Sequence, residues 1–221
     1  MANVGQPTQN PVYPSATDSL TIKSKNNQPL FIPGALYHQF APSTAYASST
    51  TETSLFAGAV AGTSYFGTRN VNGGTLTNGW NYPNIVGVGS MLRLKMGGIM
   101  TSTATPNLTV RLTVTNAAGT VSTLTTTGAL ALVAITGTAN WFLEANIMVT
   151  AYSATVGSFL TLGRFDYGQT TLLTTGLNLP STTLGTLDTT SFFTFDALAT
   201  WSANSASNSI TTQFAVLDVL N

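Results

Sequence analysis

The segment Leu108-Thr109-Val110-Arg111-Leu112-Thr113-Val114-Thr115 alternates apolar and polar side chains at every position. Successive side chains of a β-strand point to opposite sides, so this pattern predicts a strand with one buried and one solvated side. Residues 92–96, Leu-Arg-Leu-Lys-Met, repeat the pattern. These two segments are the clearest strand signals in the chain.

Further strands are predicted along the rest of the chain. In residues 141–149, Trp141 and every second residue after it are apolar, while Glu144 and Asn146 fall on the other side. Shorter strand signals lie at 121–125, 156–165 and 192–198, and Ile210, Thr212, Phe214 and Val216 are expected to share one side of a last strand. Trp141 and Trp201 are expected in the core. No segment shows the 3.6-residue period of a capped helix. The sequence therefore predicts an all-β, antiparallel β-sandwich that is jelly-roll-like.

Residues 1–50 differ from the rest because proline recurs among Asn, Gln, Ser and Thr. Proline removes backbone donors and favours extended conformations, so we expect an extended N-terminal arm at 1–50 and a β-sandwich domain at 51–221. The arm contains apolar residues that need burial, either against the domain, which is the favoured alternative, or in a groove of a neighbouring copy. These candidate assembly contacts are Leu30, Phe31, Ile32, Leu36, Tyr37 and Phe40.

Charged residues make up 6% of the chain and the formal net charge is zero, against about 25% charged residues in typical soluble domains. The polar surface must therefore come from Thr, Ser, Asn and Gly. A neutral surface has little charge repulsion to keep copies apart, and such a surface suits an assembly. A Thr-rich extracellular adhesin is the alternative that this composition leaves open.

The basic residues do not form a cluster, and neutralising phosphates takes clusters of Lys and Arg, so nucleic-acid binding is disfavoured. Basic residues lie mostly before Thr113 and five of the acidic ones after it. This split either guides head-to-tail contacts between copies or arises by chance.

Neither a secretory signal nor a membrane span is expected. The first seven residues lack a positive start and an apolar run, and no stretch approaches the roughly 20 apolar residues that cross a bilayer. The sequence contains no cysteine, so neither a disulfide nor a thiolate metal site is expected.

Catalysis is not expected. The single histidine, His38, has apolar neighbours and is interpreted as a packed or surface residue rather than a catalytic base. The best carboxylate pair for a glycosidase is Glu144 with Asp166, but Glu144 occupies an outward strand position where a solvated side chain is ordinary. We therefore predict a non-enzymatic protein without a metal or cofactor.

Two aromatic residues are candidates for exposure. Trp80 and Tyr82 flank an Asn-Gly turn at residues 78–79, and exposed aromatic rings can stack on sugars. These residues are the basis of the alternative in which the chain binds a polysaccharide.

Residues 90–220 also resemble a class of structural proteins of tailed bacteriophages. The resemblance rests on Leu-Arg-Leu-Lys before Gly97-Gly98, Thr-Pro-x-Leu-Thr-x-Arg-Leu at 105–112, Thr-Gly-Ala-Leu at 127–130, Asn140-Trp141, Ala-Tyr-Ser-Ala at 151–154, Gly163-Arg164-Phe165 and the Ser-rich run 201–210. It implies a jelly-roll module on the virion, a trimer or other ring, and no cofactor. It implies no catalytic residues.

Together, the residues and the resemblance predict a bacteriophage capsid decoration (cement) protein. Such a protein is made in the host cytoplasm, lies on the capsid surface of the virion, and contacts its own copies, with a trimer favoured, and the major capsid protein. Neither nucleic acid nor a membrane is expected as a partner. The alternative is a tail or fibre protein that recognises a host surface polysaccharide.

Overall fold

The computed structural model describes residues 34–39, 42–56, 88–103, 106–116, 119–132, 134–168, 175–188 and 193–220. The chain divides into two units, Met1–Phe31 and Ile32–Asn221, and all of these residues lie in the second unit. Its described elements are all strands, and the all-β fold with antiparallel sheets packed as a sandwich is confirmed. The jelly-roll topology and the N-terminal arm stay predictions. The strands are β1 Gly34–Gln39, β2 Tyr46–Ala47, β3 Thr53–Ser54, β4 Met91–Ser102, β5 Asn107–Asn116, β6 Val121–Thr126, β7 Leu130–Ala131, β8 Ile135–Ala151, β9 Gly157–Tyr167, β10 Thr175–Leu187, β11 Phe193–Trp201 and β12 Ser209–Val219.

The strands form two sheets. The larger sheet has seven strands in the order β1-β12-β4-β8-β9-β10, with β2 also paired to β12. The smaller sheet has five strands in the order β3-β11-β5-β6, with β7 paired to β5. Since β12 lies between β1 and β4, strands from both ends of the described chain meet in the larger sheet.

The core lies between the two sheets and is built by the alternation that the sequence shows. Leu92, Leu94 and Met96 of β4 are buried, and β5 buries its apolar positions in the same way. Phe159 of β9 and Phe195 of β11 meet edge to face across the sheets, with ring centroids 5.9 Å apart. Apolar burial of this kind is the main favourable contribution to folding.

Both tryptophans that were expected in the core are there. Trp141 is 2% exposed and Trp201 is 1% exposed. The indole N–H of Trp141 donates to the carbonyl oxygen of Thr211 at 3.2 Å, and that of Trp201 donates to the carbonyl oxygen of Tyr46 at 3.4 Å. Each ring therefore packs without leaving its one polar group unpaired.

The expectation for the last strand is wrong in its second half. Thr212 pairs with Gly98 and Phe214 with Gly97, so Gln213 is an extra residue in β12. This β-bulge shifts the alternation by one residue. Ile210 and Thr212 are buried as expected, but Phe214 is exposed, and beyond the bulge Ala215 and Leu217 occupy the inward positions instead.

Strand β10 was not predicted. Its sequence, Thr-Gly-Leu-Asn-Leu-Pro-Ser-Thr-Thr-Leu-Gly-Thr-Leu, mixes Thr, Gly and Pro with few apolar residues. It pairs along β9 with register shifts on both sides of residues 182–184. The hydroxyl of Thr125 in β6 donates to the carbonyl oxygen of Pro180 at 3.0 Å, which links β10 to the other sheet.

Residues 42–56, called the strap below, connect the two sheets on the side of β12 and β11. The strap contributes β2 to the larger sheet and β3 to the smaller one. Ser43 anchors its start, because its backbone N–H donates to the carbonyl oxygen of Thr212 and its hydroxyl accepts from the Thr212 N–H. Leu55 and Phe56, each 2% exposed, bury its end. The strap is therefore part of the sandwich although its start falls in the range predicted as an arm.

Candidate functional site

The larger sheet has a broad outward side, called the open face below. It consists of the outward residues of β12, β4, β8 and β9, and most of these are half-buried or exposed, while Gly97 is buried. The inward residues of the same strands are buried against the smaller sheet. A shallow depression of about 220 Å³ on the open face is lined by Glu144, Asn146, Leu162, Gly163 and Arg164.

A charged band crosses the middle of the open face. Strand register places Asp218 beside Arg93, and Lys95 beside Glu144. Arg93 Nη2 lies 3.2 Å from a carboxylate oxygen of Asp218, and Lys95 Nζ lies 3.5 Å from one of Glu144. Such half-exposed pairs each contribute about 0 to 1 kcal/mol to stability. Their main effect here is to cancel charge within the face.

The band continues onto β9. Arg164 is the register neighbour of Glu144, and its Nε lies 2.6 Å from a carboxylate oxygen of Asp166. All four basic residues in the described part of the chain therefore have an acidic partner within the same chain. This pairing favours chance over head-to-tail guidance as the origin of the uneven charge distribution.

An apolar row lies at one end of the charged band. Met91 pairs with Met148, Met148 pairs with Leu160, and the backbone N–H of Leu220 donates to the carbonyl oxygen of Met91. Leu220 directly follows β12, and the four residues sit side by side across β12, β4, β8 and β9; all are partly or well exposed. Leu162, 53% exposed, lies next to Leu160 on the same side of β9.

A second apolar row lies at the other end of the band. Phe214 and Phe142 are the register neighbours of Gly97 on its two sides, and their ring centroids are 6.2 Å apart. A Cβ atom at Gly97 would lie 2.9 Å from the Phe214 ring, so the absence of a side chain lets the ring lie over the β4 backbone. Ile99 extends the row along β4.

Exposed large hydrophobic side chains concentrate on the larger sheet. In the described ranges there are seven: Leu162, Phe214 and Leu220 on the open face, Val88, Tyr152 and Val156 at its β8–β9 end, and Val121 on the smaller sheet. Val88 belongs to that end because the adjacent Gly89 N–H donates to the carbonyl oxygen of Val149. Three of the seven lie on the open face and three more in the turns at its β8–β9 end, so this side of the sandwich is a candidate interaction surface.

The smaller sheet carries a buried acid. Asp196 points outward from β11 but is 3% exposed, and the Ser54 hydroxyl donates to its Oδ1 at 2.6 Å. Burial raises the pKa of Asp196 to about 7, with a small addition from the charge of Glu52, against the hydrogen bonds from Ser54 and the Ala197 N–H. Arg111 binds both carboxylate oxygens of Glu52. This cluster fastens the strap to the sheet.

The candidate assembly contacts are only partly described. Leu36 and Tyr37 lie in β1, where Tyr37 pairs with Leu217 and a register shift falls at Leu36. Residues Leu30, Phe31, Ile32 and Phe40, and the aromatic pair Trp80 and Tyr82, lie outside the described residues. The structure therefore leaves both sets of contacts as predictions. His38 lies in β1 opposite Val216.

The residues considered for catalysis lie on neighbouring strands. Asp166 is the register neighbour of Phe142, two positions from Glu144 on β8. Each carboxylate already has a basic partner, Lys95 for Glu144 and Arg164 for Asp166. The described residues contain no cluster of three or more His, Asp or Glu side chains that could hold a metal ion.

The open face was missed by the sequence reasoning although its signal is in the sequence. In residues 159–162, Phe-Leu-Thr-Leu, Phe159 falls on one side of the alternation and Leu160 and Leu162 on the other, which indicates a strand with apolar residues on both sides. Met148 likewise falls on the side of Glu144 and Asn146. Apolar residues at outward strand positions were therefore the signal in the sequence that could have indicated an exposed apolar face.

Comparison with known proteins gives no relative. The chain matches no protein-family model, and neither curated proteins nor solved structures provide a significant match. Within the described ranges, no helix is long and apolar enough to cross a membrane.

Proposed function

We propose that the chain is a non-enzymatic structural protein of a bacteriophage particle, a capsid decoration (cement) protein that stabilises the head through subunit contacts. The observation that supports it best is the concentration of exposed hydrophobic side chains on the larger sheet and in the turns at its β8–β9 end, in a neutral sandwich. In this proposal the body is jelly-roll-like, the chain is made in the host cytoplasm, and it acts on the capsid surface without a cofactor.

The distribution of charge supports contacts with protein rather than with nucleic acid. Arg93, Lys95, Arg111 and Arg164 are each held by a carboxylate of the same chain, so none of them offers an uncompensated charge to a phosphate. A neutral face docks on a protein surface without the large desolvation cost of unpaired ions. The partners proposed are other copies of the chain and the major capsid protein.

Multivalency makes modest contacts sufficient. A sandwich that presents Leu, Met and Phe side chains on one sheet gains about 25 cal/mol for each Å² of apolar surface buried on docking. Repetition of such contacts over a shell converts weak single contacts into strong overall attachment. The proposed role therefore needs no deep pocket and no catalytic group.

The number of copies in each particle tests the proposal. We expect peptides of this chain in purified virions at hundreds of copies, counted by quantitative mass spectrometry against the major capsid protein. A handful of copies would instead support the tail or fibre protein that recognises a polysaccharide through Trp80 and Tyr82. Absence of the chain from purified particles would remove both roles.

A deletion of residues 1–33 tests the proposed arm. The deletion keeps β1, whose pairing with β12 begins at Gly34, so we expect the body to fold with an unchanged β-type circular-dichroism spectrum. We expect it to lose most of its binding to heads stripped of the protein, because Leu30, Phe31 and Ile32 are removed. Co-sedimentation with heads measures this, with the full chain as reference. Normal binding by the folded, shortened chain would disprove the arm hypothesis.

A further inference from the structure

We infer that the end of the strap, residues 52–56, is a proton-operated latch on the smaller sheet. It stays closed against Asp196 while that carboxyl is protonated, and it opens more often once the carboxyl has lost its proton. The open form is a minor state at every pH, because opening exposes Leu55 and Phe56, which are each 2% exposed in the closed form. The inference concerns the described body and does not depend on the proposed function.

The backbone pairing of this end of the strap is short. Strand β3 has two residues, which pair with Leu198 and Ala199 of β11. The Leu55 N–H then donates to the carbonyl oxygen of Ala197 at 2.8 Å. In the described part of the chain β3 is also the edge of its sheet, with a strand neighbour on one side. Short elements at an edge are the ones that open locally while the rest of a fold stays intact.

Ser54 links the strap directly to the buried acid. Its hydroxyl donates to Oδ1 of Asp196 at 2.6 Å and accepts from the Phe56 N–H at 3.3 Å. On the β5 side, the Thr113 hydroxyl donates to the backbone carbonyl oxygen of Asp196 and not to its carboxyl. The carboxyl is therefore bound by a side chain of the strap, and separation of the strap from β11 breaks that hydrogen bond.

Asp196 has no basic ion-pair partner among the described residues. The four basic residues described are held by other carboxylates, Arg111 by Glu52 and the remaining three on the larger sheet. An ionised carboxyl that is buried without a cation costs much more free energy than a neutral one. Loss of the proton therefore favours a conformation in which Asp196 meets water.

The neighbouring groups do not offset this effect. On the outward side, the described elements packed against β11 carry two charged groups, Glu52 on the strap and Arg111 on β5, which form an ion pair. Burial raises the pKa of Asp196 to about 7, and the charge of Glu52 raises it slightly further. Tyr46 is the other titratable group of the strap, and burial raises its pKa above the ordinary 10.0, so it stays neutral at the pH values concerned.

The latch should open about tenfold more often for each unit of pH between about 5 and 6.5. In the open form the carboxyl meets water and titrates near its ordinary pKa of 3.8, against about 7 in the closed form. Between these values the open form has released a proton that the closed form retains, so a rise in pH favours opening. Above about pH 8 both forms are ionised, and the frequency of opening should level off.

Hydrogen exchange of backbone amides tests the latch. We would follow it by mass spectrometry between pH 5 and 8, on peptides that contain Leu55 and Phe56 and on peptides from β8. After correction for the intrinsic exchange rate, protection of the strap should fall about tenfold from pH 5 to pH 6. It should also be lower than the protection of β8, because the strap opens without unfolding of the sandwich.

Two results in the natural chain would overturn the inference. Equal protection of the strap and β8 would mean that the strap opens only when the whole fold does. Strap protection that does not change with pH would mean that its opening is not linked to a proton. The number of copies of the chain in virions has no bearing on either result.

Asp196→Asn removes the titrating group, and we expect strap protection that no longer depends on pH. Asp218→Asn is the matched control, since it removes a half-buried acid from the larger sheet and should keep the tenfold change for each pH unit. Circular dichroism checks that both variants are folded. Retention of the pH dependence in Asp196→Asn, or its loss in Asp218→Asn, would also overturn the inference. If Asp196→Asn does not fold, the comparison of the strap with β8 in the natural chain still decides.

Discussion

Raising the pH from 4 to 7 should lower the free energy of unfolding by about 3 kcal/mol through Asp196 alone. The carboxyl of the unfolded chain titrates near its ordinary pKa of 3.8, whereas burial raises the pKa of the folded form to about 7. Between these values the folded chain holds a proton that the unfolded chain has released, so each unit of pH costs stability, about 1.4 kcal/mol at most. The loss continues to about pH 8, where the folded carboxyl is ionised as well, and then levels off.

Asp196→Asn isolates the effect from the other carboxylates. The asparagine side chain does not titrate, so the decline between pH 4 and 7 should be about 3 kcal/mol smaller than in the natural sequence. Denaturant unfolding at a series of pH values measures both proteins. Ser54→Ala should extend the decline to higher pH, because the Ser54 hydroxyl stabilises the carboxylate form. Parallel pH profiles for the natural chain and Asp196→Asn would contradict the assignment.

Gly98→Ala should destabilise the fold by about 3 kcal/mol. A Cβ atom at Gly98 would overlap the carbonyl oxygen of Thr211 and lie 2.9 Å from the backbone nitrogen of Gln213. Both atoms belong to the bulge of β12, and the Thr211 oxygen is held by the indole of Trp141. Because both are backbone atoms, they cannot yield as the end of a flexible side chain can. Strand β12 must therefore move away from β4.

Gly185→Ala is the control for this change. A Cβ atom there meets nothing within 4 Å, and we expect stability within about 0.5 kcal/mol of the natural value. Urea unfolding followed by tryptophan fluorescence measures both variants. If Gly98→Ala were as stable as Gly185→Ala, the close approach of β12 and β4 would be wrong.

The alternating segments made much of the fold predictable. In β4, β5 and β8 the apolar positions of the alternation are the buried positions in the structure. The prediction that Trp141 lies in the core is confirmed for that reason. The rule fails at the β12 bulge because one extra residue reverses the alternation, and nothing local to Gln213 marks it. Strand β10 was missed because its alternation of apolar and polar residues is weak. Its strand conformation depends on pairing with β9, which the local sequence does not show.

The candidate site was less predictable than the fold. Alternation shows that Glu144 and Lys95 point outward, but only strand order shows that they are neighbours. The burial of Asp196 is the clearest failure of local reasoning, since its outward position predicts exposure and the structure gives 3%. Ser54, which binds it, is 142 residues away in sequence. Contacts of this range depend on topology, which the pattern of side chains does not contain.

The position of β12 has a consequence for biosynthesis. A ribosome makes β1, β2 and β4 well before β12, yet β12 separates β1 from β4 in the finished sheet. Until residues 209–219 emerge, β1 and β2 lack the strand with which they pair in the described part of the chain, and β4 presents a bare edge. Such edges invite pairing with other nascent chains. We expect translation that stops short of Ser209 to leave aggregating polypeptide rather than a smaller folded domain.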